Sequence, residues 1–182
     1  LPVAVILLAG GKGQRAGFEQ PKQYQMLGGK MVLAWSVAAF NAHPAICAHV
    51  LVADEDVRAL LGDALTGWAV AASGAERQQS VANALAQLTH LPDDTLVLVY
   101  DAARPGVSHA VIDRLIAAVA AGDNIAAIPT LPVPDTLVTQ DAANVGDVVD
   151  RGAMARVQTP QAFRLGHLRA AHAAATHSAA TD

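Results

Sequence analysis

Of 182 residues only Cys47 is a cysteine. That excludes a disulfide framework and a cysteine-based zinc site, and it fits a reducing compartment, the cytoplasm. No apolar run is long enough to cross a membrane. The one that opens the chain, Leu1 to Ala9, is far too short and lacks the basic flank and cleavage signal of a secretory peptide. Positive charge is also in short supply. The net charge is −4, which argues against a nucleic-acid or anionic-membrane surface. There are only three lysines, Lys12, Lys22 and Lys30, and all lie in the first thirty residues with Arg15 among them. Acids are nearly absent from the same region, Glu19 being the only one before Asp54. An acidic chain that gathers its lysines in one acid-poor stretch points to an anion there, although a solvated loop is the plainer reading.

What the chain has in quantity is apolar side chain. It is 53% hydrophobic with a mean hydropathy of +0.32, enough for a substantial core and incompatible with disorder. No linker, repeat or low-complexity block interrupts it before the alanine-rich tail, so residues 1–182 read as a single domain. Continuous apolar runs at Val3 to Ala9, Ile46 to Ala53, Trp68 to Ala72, Thr95 to Asp101 and Ile125 to Leu131 read as buried parallel strands. Helical periodicity falls between them. Val81, Leu85 and Leu88 form one stripe; Val111, Ile112, Leu115, Ile116 and Val119 form another. The alternation predicts an α/β fold with a doubly wound, mostly parallel sheet and right-handed crossovers.

Two segments break the rhythm. From Leu131 to Val157 the pattern is that of an inserted β-hairpin arm, with strands at Thr136 to Thr139 and Val145 to Val149 and a turn at Asp141 to Asn144. An isolated hairpin is marginal, so this one is expected to lean on a second subunit. The other is Gly10-Gly11-Lys12-Gly13-Gln14-Arg15-Ala16-Gly17, directly after the first strand. Glycines let backbone N–H groups close on an anion, and open α/β sheets bind ligands at their strands' carboxyl ends. The Walker pattern is missing its terminal Lys-Ser/Thr. The dinucleotide pattern is missing the acid that should follow near the second strand, and Pro21 blocks the helix it requires. An NAD-dependent oxidoreductase is therefore disfavoured. Arg15 and Lys22 remain as fixed cations suited to a triphosphate that undergoes substitution at its α-phosphorus. His167, His172 and His177 recur every five residues, drift around a helix and read as exposed, with no metal site.

Ala9 to Arg15, followed by Pro21-Lys22-Gln23-Tyr24, resembles the signature of 2-C-methyl-D-erythritol 4-phosphate cytidylyltransferases. Gly74-Ala75-Glu76-Arg77-Gln78-Gln79-Ser80-Val81, Asp101-Ala102-Ala103-Arg104-Pro105, Pro132 to Thr136 and Gln158 to Phe163 resemble that family's later motifs in order. The resemblance implies a Rossmann-like nucleotidyltransferase that moves a cytidylyl group from CTP to methylerythritol phosphate and releases pyrophosphate, in non-mevalonate isoprenoid precursor biosynthesis. It implies Arg15 and Lys22 at the reacting phosphorus, and Gly11 and Gly13 on the phosphates. Gly74 and Ser80 fall on base and ribose. Arg104, Thr136, Arg151 and Thr159 fall on the acceptor, and Asp101 on Mg2+. It also implies a homodimer in which Thr136 and Arg151 serve the partner's site.

Each of several residues also has a purely structural reading: Asp101 as a turn cap, Arg104 as its ion-pair partner, Ser80 as a local capping group, Thr136 and Thr159 as strand residues. The sequence departs from the family at Ala16 (usually Met), Tyr100 (often His) and Val138 (commonly Lys). The family continues beyond Thr181-Asp182 with a strand carrying a further phosphate-site lysine. The expectation is a piece of a longer chain, with residues ahead of Leu1 as well, possible fusion to a cyclodiphosphate synthase included. A cytidylyltransferase for another polyol phosphate such as ribitol 5-phosphate, or a CTP-binding module without turnover, are the alternatives.

Overall fold

Alternate residues of an extended strand face opposite ways, and the first strand, β1 (Val3–Leu8), uses both faces for core. In the computed structural model, which describes residues 1–11, 20–54, 56–122 and 124–175, Val3, Val5 and Leu7 enter one apolar cluster and Ala4 and Ile6 enter another. A strand buried on both sides needs helices on both sides.

The remaining elements run in chain order. A small hairpin, β2 (Met26–Leu27) and β3 (Lys30–Met31), leads into α1 (Val32–Asn41). Then come β4 (Ile46–Val52), α2 (Val57–Leu61), β5 (Trp68–Ala71), α3 (Arg77–Leu85), β6 (Leu96–Asp101) and α4 (His109–Ala120). After these follow β7 (Ala126–Ala127), β8 (Thr130–Pro132), β9 (Leu137–Asp141), β10 (Asn144–Val149), β11 (Ala155–Val157), β12 (Gln161–Arg164) and α5 (Leu165–Ala174). Among the described residues the main sheet has the order β5-β4-β1-β6-β12-β7. Strands β5, β4, β1 and β6 are parallel, and β12 runs antiparallel to both its neighbours. Helices α1 and α4 pack one face through Leu33, Val37, Phe40, Ile112, Leu115 and Val119. Helices α3 and α5 pack the other through Val81, Ala84, Leu85, Leu165 and Leu168. Deleting one such side chain, as in Leu98→Ala at a fully buried position, costs about 2–5 kcal/mol.

The expected strand from Ile125 to Leu131 is in fact two. Strand β7 joins the main sheet through β12, whereas β8 pairs with β11 at the foot of the arm. Pro129 stands between them, has no N–H to offer a ladder, and turns its carbonyl to the Gln158 N–H at 2.9 Å. The arm's hairpin is as expected in kind, with β9 against β10 and its turn closed where Asn144 pairs with Asp141.

Candidate active site

From β1 the chain steps outward to β4 and β5, then returns to the other side of β1 to form β6. The carboxyl ends of β1 and β6 therefore flank the point where the strand order reverses, the usual ligand crevice of an open α/β sheet. Register sets Leu8 beside Asp101 on one side and Val52 on the other. Past the strand ends, the Ala9 N–H donates to the Val52 carbonyl at 2.8 Å and the Ala102 N–H to the Leu8 carbonyl at 2.9 Å. The glycine segment and the central acidic motif thus emerge side by side.

Gly10 is required by packing. A Cβ there would stand 1.7 Å from Ser73 Oγ and 2.5 Å from Ser73 Cβ, so the loops after β1 and β5 meet only because this residue is glycine. Gly11 differs: among the described residues nothing lies within 4 Å of where its Cβ would be. An open cleft beside it is lined by Ala9, Gly10, Gly11, Pro21, Gln23, Tyr24 and Asp54. Lys22 is exposed on the single helical turn Lys22–Tyr24 whose neighbours line that cleft. Gly13 and Arg15 lie outside the described residues.

Gly74 and Ser80 come together as the motif implied, and they bond to each other. The Gly74 N–H donates to Ser80 Oγ at 2.9 Å, and the Ala75 N–H donates to Gln79 Oε1 at 3.0 Å. A Cβ on Gly74 would stand 2.4 Å from Gln79 Cβ and 2.9 Å from its backbone carbon. Ser80 lies inside α3, whose N-cap is Glu76, so its local bond ties the loop ahead of the helix rather than capping the helix start.

Asp101 sits between two arginines. Its Oδ1 accepts from Arg77 Nη2 at 3.1 Å and its Oδ2 from Arg104 Nε at 3.2 Å. Its backbone N–H donates to Thr159 Oγ1 at 3.4 Å, which draws the β11–β12 connection over the end of β6. Arg104 Nη1 also donates to Gln158 Oε1 at 3.1 Å, and its side chain remains half exposed. The loop that carries Arg104 is pinned from below. Ser36 Oγ of α1 donates to the Ala102 carbonyl at 3.1 Å, and the Tyr100 hydroxyl donates to the Arg104 carbonyl. Tyr100 is buried edge-on to Phe40, their ring centroids 5.0 Å apart. Burial, assisted by the Asp101 charge, pushes its phenol up to about 12.

Thr136 and Arg151 lie apart from these residues, on the arm. Arg151 donates to the Pro134 carbonyl at 2.5 Å, two residues from exposed Thr136. No hydrogen bond or ion pair between described residues joins either to Asp101, Arg104 or Thr159. The hairpin they flank exposes Val138, Val145 and Val148, at 41%, 73% and 72%. Val148 pairs with Val138 and Val145 with Gln140, so these side chains share one face.

Sequence reasoning gave no role to Arg77 or Gln23, although both stand inside quoted motifs. Arg77 lies three positions before Ser80, but its partner Asp101 is 24 residues on and no local spacing announces it. His172 is partly buried rather than exposed, and burial lowers its pKa; its side chain packs where the sequence pattern shows only drift. His167 is exposed as expected, and His177 lies outside the described residues. Among the described residues no group of three or more His, Cys, Asp or Glu gathers to cage a metal. Asp101 alone nevertheless suits Mg2+, which takes one or two carboxylates and completes its shell with phosphates and waters. Each carboxylate oxygen has a second acceptor position beyond the one its arginine occupies.

The profile described as IspD, 2-C-methyl-D-erythritol 4-phosphate cytidylyltransferase, matches residues 3–182. The chain belongs to this family. It is 59% identical over 180 residues to a bifunctional enzyme IspD/IspF of Sphingopyxis alaskensis, covering 99% of this chain and 45% of that protein. It is 43% identical to the bifunctional enzyme of Rhodospirillum rubrum, covering 99% and 47%. The chain thus spans a little under half the length of these relatives. The crystal structure of 2-C-methyl-D-erythritol 4-phosphate cytidylyltransferase from Thermus thermophilus superposes with a TM-score of 0.78 at 35% identity, covering 100% of this chain and 81% of that one. These matches place the α/β sheet and its motifs in a nucleotidyltransferase family.

Proposed function

We propose that the chain transfers a cytidylyl group from CTP to 2-C-methyl-D-erythritol 4-phosphate and releases pyrophosphate, in the cytoplasm. The observation that carries this is the placement of the Gly10–Gly11 segment beside the Asp101–Arg104–Thr159 cluster on adjacent strand ends. One half suits a nucleotide triphosphate and the other an anionic acceptor.

In the reaction an acceptor phosphate oxygen attacks the α-phosphorus of CTP. The new P–O bond forms as the bond to the β-phosphate oxygen breaks, and pyrophosphate carries away the electron pair. Lys22, with Arg15, offsets the charge that develops on the equatorial and leaving oxygens. Backbone N–H groups at Gly11 and Gly13 hold the phosphates. Gly74 and Ser80 border base and ribose. Arg104 and Thr159 hold the acceptor phosphate, Arg104 swinging from Asp101 and Gln158 to a substrate oxygen. Arg77 keeps Asp101 in place when Arg104 leaves. Mg2+ held through Asp101 would supply charge neutralisation across the triphosphate. Thr136 and Arg151 complete the acceptor site of a partner subunit, and the apolar face of Val138, Val145 and Val148 supports that homodimer. Resemblance to bifunctional relatives supports fusion to an IspF-type unit.

The test is pyrophosphate release with CTP and a panel of polyol phosphates. Turnover is expected with methylerythritol phosphate far above ribitol 5-phosphate, and its loss on full chelation of divalent ions. Preference for ribitol 5-phosphate, or CTP binding with no turnover, would overturn the assignment. Asp101→Ala is expected to raise the Mg2+ concentration needed; an unchanged requirement would confine Asp101 to holding its arginines.

A further inference from the structure

Gln23 is polar, 5% exposed, and spends both N–H groups of one amide nitrogen on the glycine segment. Its Nε2 donates to the Ala9 carbonyl at 2.5 Å and to the Gly11 carbonyl at 2.9 Å. A side chain that only needed its hydrogen bonds satisfied could take water. This one reaches back across the chain to two carbonyls two residues apart and turns both toward itself. In a trans peptide the C=O and the following N–H point in opposite directions. With the Ala9 carbonyl held by Gln23, the Gly10 N–H is turned away from it. The Gly10 N–H, only partly exposed, donates to no acceptor among the described residues, which leaves it for water or a ligand.

Gln23 also belongs to the helical turn Lys22–Tyr24. The turn is anchored on its other side by Tyr24, which is buried in the core. The same residue that orients the glycine segment therefore fixes the backbone from which Lys22 projects.

We infer that Gln23 is a positioning residue: by holding the Ala9 carbonyl it turns the Gly10 N–H, at the other side of the same peptide plane, toward phosphate oxygens, and by holding the Gly11 carbonyl it locks the glycine segment to the turn carrying Lys22. The inference rests on the phosphate-site reading above. Glutamate at this position would keep the shape but set an acceptor-only carboxylate against two carbonyls. Methionine would keep the volume and donate nothing.

The experiment measures binding of inorganic tripolyphosphate and of cytidine, together with steady-state kinetics, for the wild type, Gln23→Glu and Gln23→Met. Both variants are expected to bind tripolyphosphate at least tenfold more weakly while cytidine affinity stays within twofold. Their kcat is expected to fall at least tenfold with the KM for the acceptor within twofold. A residue that merely stabilised the fold would weaken both ligands alike or neither, and tripolyphosphate affinity within twofold of the wild type in both variants overturns the inference. A second measurement needs no variant. In the wild type, tripolyphosphate is expected to shift the Gly10 amide resonance; shifts elsewhere with this one unmoved also overturn it. A wild type that binds tripolyphosphate nowhere defeats the phosphate-site reading itself, a separate and distinguishable result.

Discussion

The body of the molecule and its arm are held together in different ways. In the body, the acidic motif and the glycine segment are tied to neighbouring strands and loops. Asp101 is fixed by register with Leu8, by two arginines and by Thr159, and the glycine segment is fixed by Gln23 and Ser73. On the arm, Arg151 bonds to the facing β8–β9 connection and Thr136 stands exposed, beside an apolar face that nothing in the chain covers among the described residues. The cleft proposed for the nucleotide lies in the body, whereas the arm residues proposed for the acceptor bond to none of the body's site residues among the described residues.

The largest effect expected on this contrast comes from the body. Lys22→Ala should reduce turnover by at least ~100-fold, with a smaller change in CTP affinity, because its contact strengthens as charge develops in the transition state. Near-normal turnover in that variant would remove Lys22 from the chemistry. Next is the arm. Arg151→Ala should raise the acceptor KM by roughly tenfold or more, from the loss of one charge-assisted contact, and leave the KM for CTP unchanged. A matched rise in both would mean that the arm supports the whole fold rather than one substrate.

The smallest effect separates the regions by pH. The Tyr100 phenol is raised from its ordinary 10 to about 12, so the folded state favours its neutral form. That contribution is present below pH 10 and is lost as pH rises from 10 towards 12. His49 is lowered by burial, with Nε2 unpartnered against Trp68. Folding therefore disfavours its charged form, and stability falls as pH drops below 6.5. Both groups belong to the body. Denaturant melts should show Tyr100→Phe flattening the alkaline limb and His49→Gln flattening the acid limb, while Val145→Ala on the arm changes neither. An arm variant that altered either limb would break the separation.

Legibility in the sequence follows the same division. The four parallel strands were visible because both faces are buried, which leaves continuous apolar runs; Val3 to Ala9 ended one residue past β1. Helix α1 was not visible. Val32, Leu33, Val37 and Phe40 are buried, and alanines fill much of the rest, so its apolar side chains leave no contrast at a period of 3.6. The division at Pro129 was hidden because hydrophobicity does not say which sheet a strand joins. Strand β12, Gln-Ala-Phe-Arg, is too short and polar to announce itself. For the site, the motifs pointed to segments that meet at the ends of β1 and β6. The Arg77–Asp101 pair and the two hydrogen bonds from Gln23 depend on contacts across the fold, and spacing along the chain does not encode them.

The central claim is that the arm of one subunit completes the acceptor site of another. The direct measurement mixes an Arg151→Ala chain with a Lys22→Ala chain under conditions where subunits exchange, at acceptor concentrations well below KM, where each alone is expected to keep about a tenth of wild-type activity or less. A mixed dimer then holds one site with both defects and one with neither. The account predicts that activity returns on mixing, to about half the wild-type level per mixed dimer by that site count. Demonstrated exchange with no return of activity would contradict it.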